Sequence, residues 1–195
     1  ILGQIGIERS NPDYFPILLM NWVLGGGGFN SRLMQTIRTR GGLAYSVASA
    51  FESSKLPGAF QVALQTKVES AGEAIELARA EIRKLHDEGA TEAELNAAKD
   101  YLTGNFPLRL DSSGKLAGFL GQIEYFGLGD DYIERYSERV RAVTLDDVKK
   151  AAAKYLHPDA LVQVVVGPQA KLAEQGIASA GSAPASAPAA AVTKP

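Results

Sequence analysis

The sequence contains no cysteine, so disulfides, thiol nucleophiles and thiolate metal sites are excluded. It has only two histidines, His86 and His157, which leaves little from which to build a metal centre within the chain. Neither charge is in excess: 20 Lys and Arg stand against 22 Asp and Glu, a net charge of −2. That balance carries no electrostatic footprint for nucleic acid or for an anionic membrane surface. No apolar run reaches the roughly 18 to 20 residues of a membrane span. The chain opens at Ile1 with no basic segment ahead of an apolar one, so its first residues do not read as a signal peptide. The expectation is a mature or truncated chain.

What is present suits one globular domain. The 195 residues are 46% hydrophobic and 22% charged, ordinary values for a chain that can bury a core. Composition shifts at the end, where 178–195 is almost entirely Ala, Ser, Pro and Gly, with Lys194 its one charge. Such a segment has no large apolar side chains to offset its ordering entropy. A domain over 1–168 and a flexible tail over 169–195 are therefore expected.

Within the domain, 4–7 reads as the end of a strand and 14–24 as a buried helix begun near Asn11 and Pro12. Gly25 to Gly28 end that helix, and 31–40 forms a second one, with Leu33, Met34 and Ile37 on one face. Alternation of Tyr45, Val47, Ser49 and Phe51 with small residues, then of Phe60, Val62 and Leu64 with glutamines, predicts an antiparallel hairpin. Three helix starts carry capping-box spacing: Ser70 with Glu73, Thr91 with Glu94, and Thr144 with Asp147. Further helices are expected over 112–126 and 132–140, and 161–166 reads as a buried closing strand. Strands, then a helical block, then a strand indicate an α+β fold, with helices covering one face of a mainly antiparallel sheet.

The four consecutive glycines at 25–28 do not form a phosphate loop, because no Gly-Lys-Ser/Thr follows and a helix rather than a strand precedes them. They read as a flexible helix-to-helix connection. His86 and His157 stand near helix ends, where the dipole favours a cationic side chain. The carboxylates lie mostly on solvated helix faces, and no spacing singles out an acid–base pair. Arg38 and Tyr45 stand apart. They flank the Gly41-Gly42 reversal, so both side chains can face one cleft. A guanidinium and a phenol there are donors able to hold a peptide carbonyl and stabilise an oxyanion. The other reading is an arginine favoured by the helix dipole and a strand-end tyrosine.

Three stretches together, NPDYF at 11–15, LGGGGFNSRL at 24–33 and IRTRGGLAYSV at 37–47, resemble the C-terminal domain of the pitrilysin/insulinase-type zinc metallopeptidases, in their mitochondrial-processing-peptidase-like branch. The resemblance runs over roughly 4–167. It implies an α+β half-clam domain that pairs with a similar domain around a chamber. It also implies that zinc sits in that other domain, on a His-x-x-Glu-His helix whose glutamate is the general base. This sequence has no His-x-x-Glu-His. No cofactor is then expected in this chain, and the family's first strand is expected to lie ahead of Ile1.

By the same resemblance Arg38 and Tyr45, seven residues apart, match the family's substrate-binding and intermediate-stabilising pair. The implied function is the substrate-binding, oxyanion-stabilising part of a zinc endopeptidase, inactive alone, in a heterodimer or a longer chain. The partners implied are a homologous zinc-bearing domain or subunit and a peptide. The alternative is a non-catalytic scaffold subunit that pairs with a peptidase-like partner. Relatives of this kind also favour the bacterial periplasm over the cytoplasm.

Overall fold

The computed structural model describes residues 1–177. Four strands, β1 (Leu2–Ile5), β2 (Ala44–Ser53), β3 (Pro57–Thr66) and β4 (Val162–Gln163), form one antiparallel sheet in the order β2-β3-β1-β4. The register follows from side-chain alternation. Leu2 pairs with Val62, Val62 with Ser49, and Val47 with Leu64, so all of them point to one face, where Leu2, Val47, Val62 and Phe60 are buried. Ala48, Ala59 and Ala63 face the opposite way and are exposed. The α+β class and the one-sided helical cover are therefore as expected.

The helices are α1 (Tyr14–Asn21), α2 (Ala71–Glu88), α3 (Glu92–Asn105), α4 (Ser113–Phe126), α5 (Tyr132–Ala142), α6 (Leu145–Tyr155) and α7 (Gln169–Glu174). α1 and α2 both pack on α6 and reach the sheet. Ala74, Ile75, Ala78, Ile82 and Leu85 form the buried stripe of α2. The Thr91 and Thr144 capping boxes both form. In each the threonine oxygen accepts from the backbone three residues on, and the threonine amide donates to the carboxylate of that residue, at 2.8 Å to Glu94 and 2.8 Å to Asp147.

Four expectations are corrected. Ser70 makes no capping bond, because it closes a 3₁₀ turn (Val68–Ser70) that feeds straight into α2 and leaves it outside the extended conformation that capping needs. The 161–166 run is not a buried strand. Val162 and Gln163 pair with β1 at the sheet edge, Val164 exchanges backbone hydrogen bonds with Ile1, and Val166 is 95% exposed. Part of the expected tail is folded: α7 lies within it, and Leu172 is buried against the domain. The remainder of that tail, 178–195, lies outside the described residues.

The fourth correction concerns the glycines. α1 does not stop at them but continues as a π-helical segment (Trp22–Gly26), in which Gly25 is buried. There the backbone lies hard against β2. A Cβ on Gly25 would meet the Ser49 amide nitrogen, come within 2.6 Å of Ser49 Oγ and sit 2.9 Å from Leu33 Cδ1. Asn21 fastens the same contact, donating from Nδ2 to the Ser49 carbonyl at 3.2 Å and accepting from Ser49 Oγ at 2.7 Å. The connection is thus a packed element of the core. It also covers the middle of β2, an edge strand that would otherwise expose its free backbone groups.

Gly25→Ala is expected to destabilise the protein by about 3 kcal/mol, the upper range for overpacking a core against backbone. Urea denaturation followed by circular dichroism measures this. A change below about 0.5 kcal/mol, the scale of a surface substitution, would contradict the close approach.

Candidate functional site

The segment between α1 and β2 builds the site. After the first π segment, a 3₁₀ turn (Gly28–Asn30) carries Phe29 at its crest. A second π segment (Met34–Arg40) follows. Its last turn closes with Gly41 N donating to Thr36 O at 3.1 Å, a bond over five residues rather than four. Such winding is uncommon and clusters at functional sites. Leu33 and Ile37 are fully buried and root the segment in the core, so Arg38 emerges at the rim. Gly42, with φ of +62°, then reverses the chain in a conformation other residues rarely adopt.

Tyr45 comes next, at an irregularity in the ladder. Ala44 pairs with Thr66 and Ser46 with Gln65, so Tyr45 is an extra residue on the β2 side. A bulge of this kind re-aims its side chain. The Tyr45 ring is 80% exposed, and the Arg38 guanidinium carbon lies 5.9 Å from its centroid. Phe29, 64% exposed, approaches the same guanidinium to 4.9 Å. Arg38 Nη1 contacts Met34 Sδ at 4.0 Å, one turn back.

The structure thus brings Arg38 and Tyr45 together at the protein surface. No described carboxylate pairs with Arg38. Beyond the Nη1 contact with Met34 Sδ, its remaining N–H groups and the Tyr45 hydroxyl have no partner among the described residues, and together they can hold a carbonyl oxygen or a developing oxyanion.

These two side chains offer a guanidinium and a phenol, not metal donors. Among the described residues no three His, Asp or Glu converge to hold a metal. His86 and His157 do share a shallow cleft of about 300 Å³ with Arg83, Asp87 and Asp159, but His86 Nδ1 is engaged by Asp87 Oδ1 at 2.6 Å. No group among the described residues fits a zinc ion. Nor is any helix among the described residues long and apolar enough to cross a membrane.

Residues 1–102 match the family described as the peptidase M16 inactive domain. The chain belongs to this family. A crystal structure of an M16 inactive domain from Pseudomonas fluorescens is 34% identical, with a TM-score of 0.77 over 86% of this chain and 41% of that one. An uncharacterized zinc protease of Streptomyces coelicolor is 30% identical over 80% of this chain and 34% of its own length. A Helicobacter pylori protein named a non-peptidase homolog is also 30% identical, over 73% of this chain and 33% of its own. The chain spans about a third of the length of these curated relatives.

In this M16 domain a second arginine holds the site segment in place. Arg32 precedes the second π segment and forks onto Glu94, with Nε and Nη2 each donating at 2.7 Å. Nη2 also donates to the Gly89 carbonyl at 3.0 Å, while Nη1 has no partner among the described residues. The Arg32 side chain is 11% exposed and that of Glu94 28%. Burial by itself would raise the Glu94 pKa, but the Arg32 guanidinium and the Thr91 amide and hydroxyl outweigh it and hold the carboxyl at about 2. Thr36 Oγ1, donating to Glu81 at 2.6 Å, ties the π segment to α2.

The sequence reading set Met34 beside Arg38 only as part of an apolar stripe, and it passed over Phe29 and the partly buried Arg32–Glu94 fork. An aromatic among glycines and an arginine 62 residues from its partner leave no local signal. Only the Thr91-x-x-Glu94 spacing pointed at Glu94, and it pointed to a cap.

The pair makes stability depend on acid. Because the Glu94 pKa is depressed on folding, its contribution is complete above the ordinary glutamate value of 4.5 and is lost as pH falls towards about 2. Glu94→Gln is expected to cost about 2 kcal/mol at pH 7, within the range for hydrogen bonds to charged groups. The gap from the native protein should shrink between pH 4.5 and 2. Urea titrations at several pH values test this, and a gap that stays constant with pH would rule out an ionised Glu94 as its source.

Proposed function

We propose that this chain is the substrate-binding, oxyanion-stabilising domain of a zinc-dependent endopeptidase, with the zinc held by a homologous second domain or subunit. One observation carries the reading. In an M16 inactive domain, Arg38 and Tyr45 stand together at the surface, and apart from the Arg38 Nη1 contact with Met34 Sδ their donors have no partner among the described residues. A purely structural arginine would be expected to be paired, as Arg32 is. Several relatives named as zinc proteases exceed this chain in length and leave room for a second domain.

The work assigned to this chain is binding and charge stabilisation. Arg38 donates to the carbonyl oxygen of an extended peptide and orients it. Tyr45 adds its hydroxyl to the oxygen that gains negative charge as the carbonyl carbon becomes tetrahedral. Donors fixed before reaction stabilise that charge without reorganising. The zinc domain would supply the activated water; no metal-holding group among the described residues replaces it.

A scaffold role is the second reading, favoured by the naming of the Helicobacter pylori relative as a non-peptidase homolog. In that case Arg38 and Tyr45 serve only the surface they share.

The two readings separate in the assembled enzyme. In the chain combined with its zinc-bearing partner, Tyr45→Phe and Arg38→Ala are each expected to lower peptide turnover about a hundredfold, the effect of losing one oxyanion donor. Circular dichroism should leave the fold unchanged, since both side chains lie at the rim. Unchanged turnover in both variants would refute the role, and absence of cleavage in the native assembly would favour the scaffold.

A further inference from the structure

The chain carries two sulfur atoms, in Met20 and Met34, and no thiol that would intercept an oxidant. The two thioethers differ in their surroundings. Met20 is fully buried in the core. Met34 is only partly buried, and its sulfur lies 4.0 Å from Arg38 Nη1. That is the one polar contact of the Arg38 guanidinium among the described residues; its other neighbours are the rings of Phe29, at 4.9 Å, and Tyr45, at 5.9 Å. A thioether is a weak acceptor, so the sulfur does not compete with a carbonyl oxygen for the guanidinium. Any change that made it a strong acceptor would.

We infer that Met34 is an oxidation site, whose sulfoxide oxygen takes the Arg38 N–H groups that a peptide carbonyl would otherwise receive and so turns the site off. The inference rests on the reading of Arg38 and Tyr45 as peptide-holding donors. In the step, a lone pair of the Met34 sulfur attacks one oxygen of hydrogen peroxide. The S–O bond forms as the O–O bond breaks, and the second oxygen leaves as water once a proton has moved to it. The sulfur is oxidised and the peroxide reduced. The product is polar and is returned to the thioether by methionine sulfoxide reductases, so the change is reversible. Sulfur and Nη1 are already in contact, so the new bond closes by side-chain rotation, without movement of the π segment. Hydrogen bonds to an ionised donor are about twice as strong as neutral ones, which makes the captured guanidinium a poor donor to anything else. The oxidant that reaches this sulfur is excluded from Met20, which confines the modification to the site.

The test treats the isotope-labelled 195-residue chain with hydrogen peroxide and follows it by mass spectrometry and NMR. Met34 is expected to gain one oxygen while Met20 remains unmodified, and the Arg38 Nε–H signal should move. The probe is a blocked tripeptide, N-acetyl-Ala-Ala-Ala-N-methylamide, titrated while the Arg38 and Tyr45 signals are observed. Its affinity should fall about tenfold on oxidation, the loss of one hydrogen bond to a charged group, and return on treatment with the reductase. Peroxide should leave the affinity of Met34→Leu where it was. Met34→Gln, which carries an amide oxygen permanently, should bind the probe weakly before and after treatment. Oxidation of Met20 as fast as Met34, an unreactive Met34, a probe affinity that oxidation does not change, or a loss that accompanies unfolding by circular dichroism would each overturn the inference while leaving the donor pair standing. A probe that moves neither Arg38 nor Tyr45 in the untreated chain would instead remove the donor reading, and this inference with it.

Discussion

The distance between one stretch of helix and one strand governs the site. Gly25 lies so close to the Ser49 amide that no side chain fits between them, and Asn21 bonds both the carbonyl and the hydroxyl of Ser49. With the backbone at that depth, α1 runs on as a π segment instead of ending. Leu33 and Ile37 then bury in the core beside it. The second π segment is set by those two anchors, by the Arg32–Glu94 fork and by the Thr36–Glu81 bond. Arg38 has little choice of position after that. The Gly42 reversal and the β2 bulge bring Tyr45 back alongside it.

Two arginines six residues apart show how environment divides labour. Arg32 is mostly buried and bidentate to a carboxylate, and its partner's pKa is depressed accordingly. Breaking such a pair leaves a charge in a poorly solvated place, so its role is to hold the chain. Arg38 has rings and a sulfur for neighbours; Nη1 meets the sulfur, and the rest of its hydrogen-bonding edge has no partner among the described residues. The first fixes the backbone that presents the second. That division suits the proposed role, in which this domain would bind the peptide and stabilise charge for a metal held elsewhere.

Much of the fold could be read from the residues because its signals are local. Period-two alternation located β2 and β3, and the threonine–acid spacings located the starts of α3 and α6, where the boxes do form. The Gly41-Gly42 reversal likewise pointed to Arg38 and Tyr45 lying near one another, and the guanidinium carbon is 5.9 Å from the ring centroid. Failures arose where distant contacts decide. A bond over five residues instead of four leaves no trace in the apolar periodicity of so short a run, so both π segments were read as ordinary helix and loop. Ser70 had the spacing of a cap but entered its helix through a 3₁₀ turn. The β-branched run at 161–166 had the composition of a core strand but only one neighbour in the sheet. Leu172 shows that a sparse apolar residue near the end of a domain can still dock.

The central claim is that this winding brings the Arg38 guanidinium against the rings of Phe29 and Tyr45 in the folded chain. The most direct measurement is a set of nuclear Overhauser contacts in the labelled protein in solution. Cross-peaks are expected from the Arg38 Hδ protons to both rings, with those protons displaced from their ordinary positions by the ring currents. Arg38 Hδ signals at unperturbed positions, with contacts to neither ring, would contradict it.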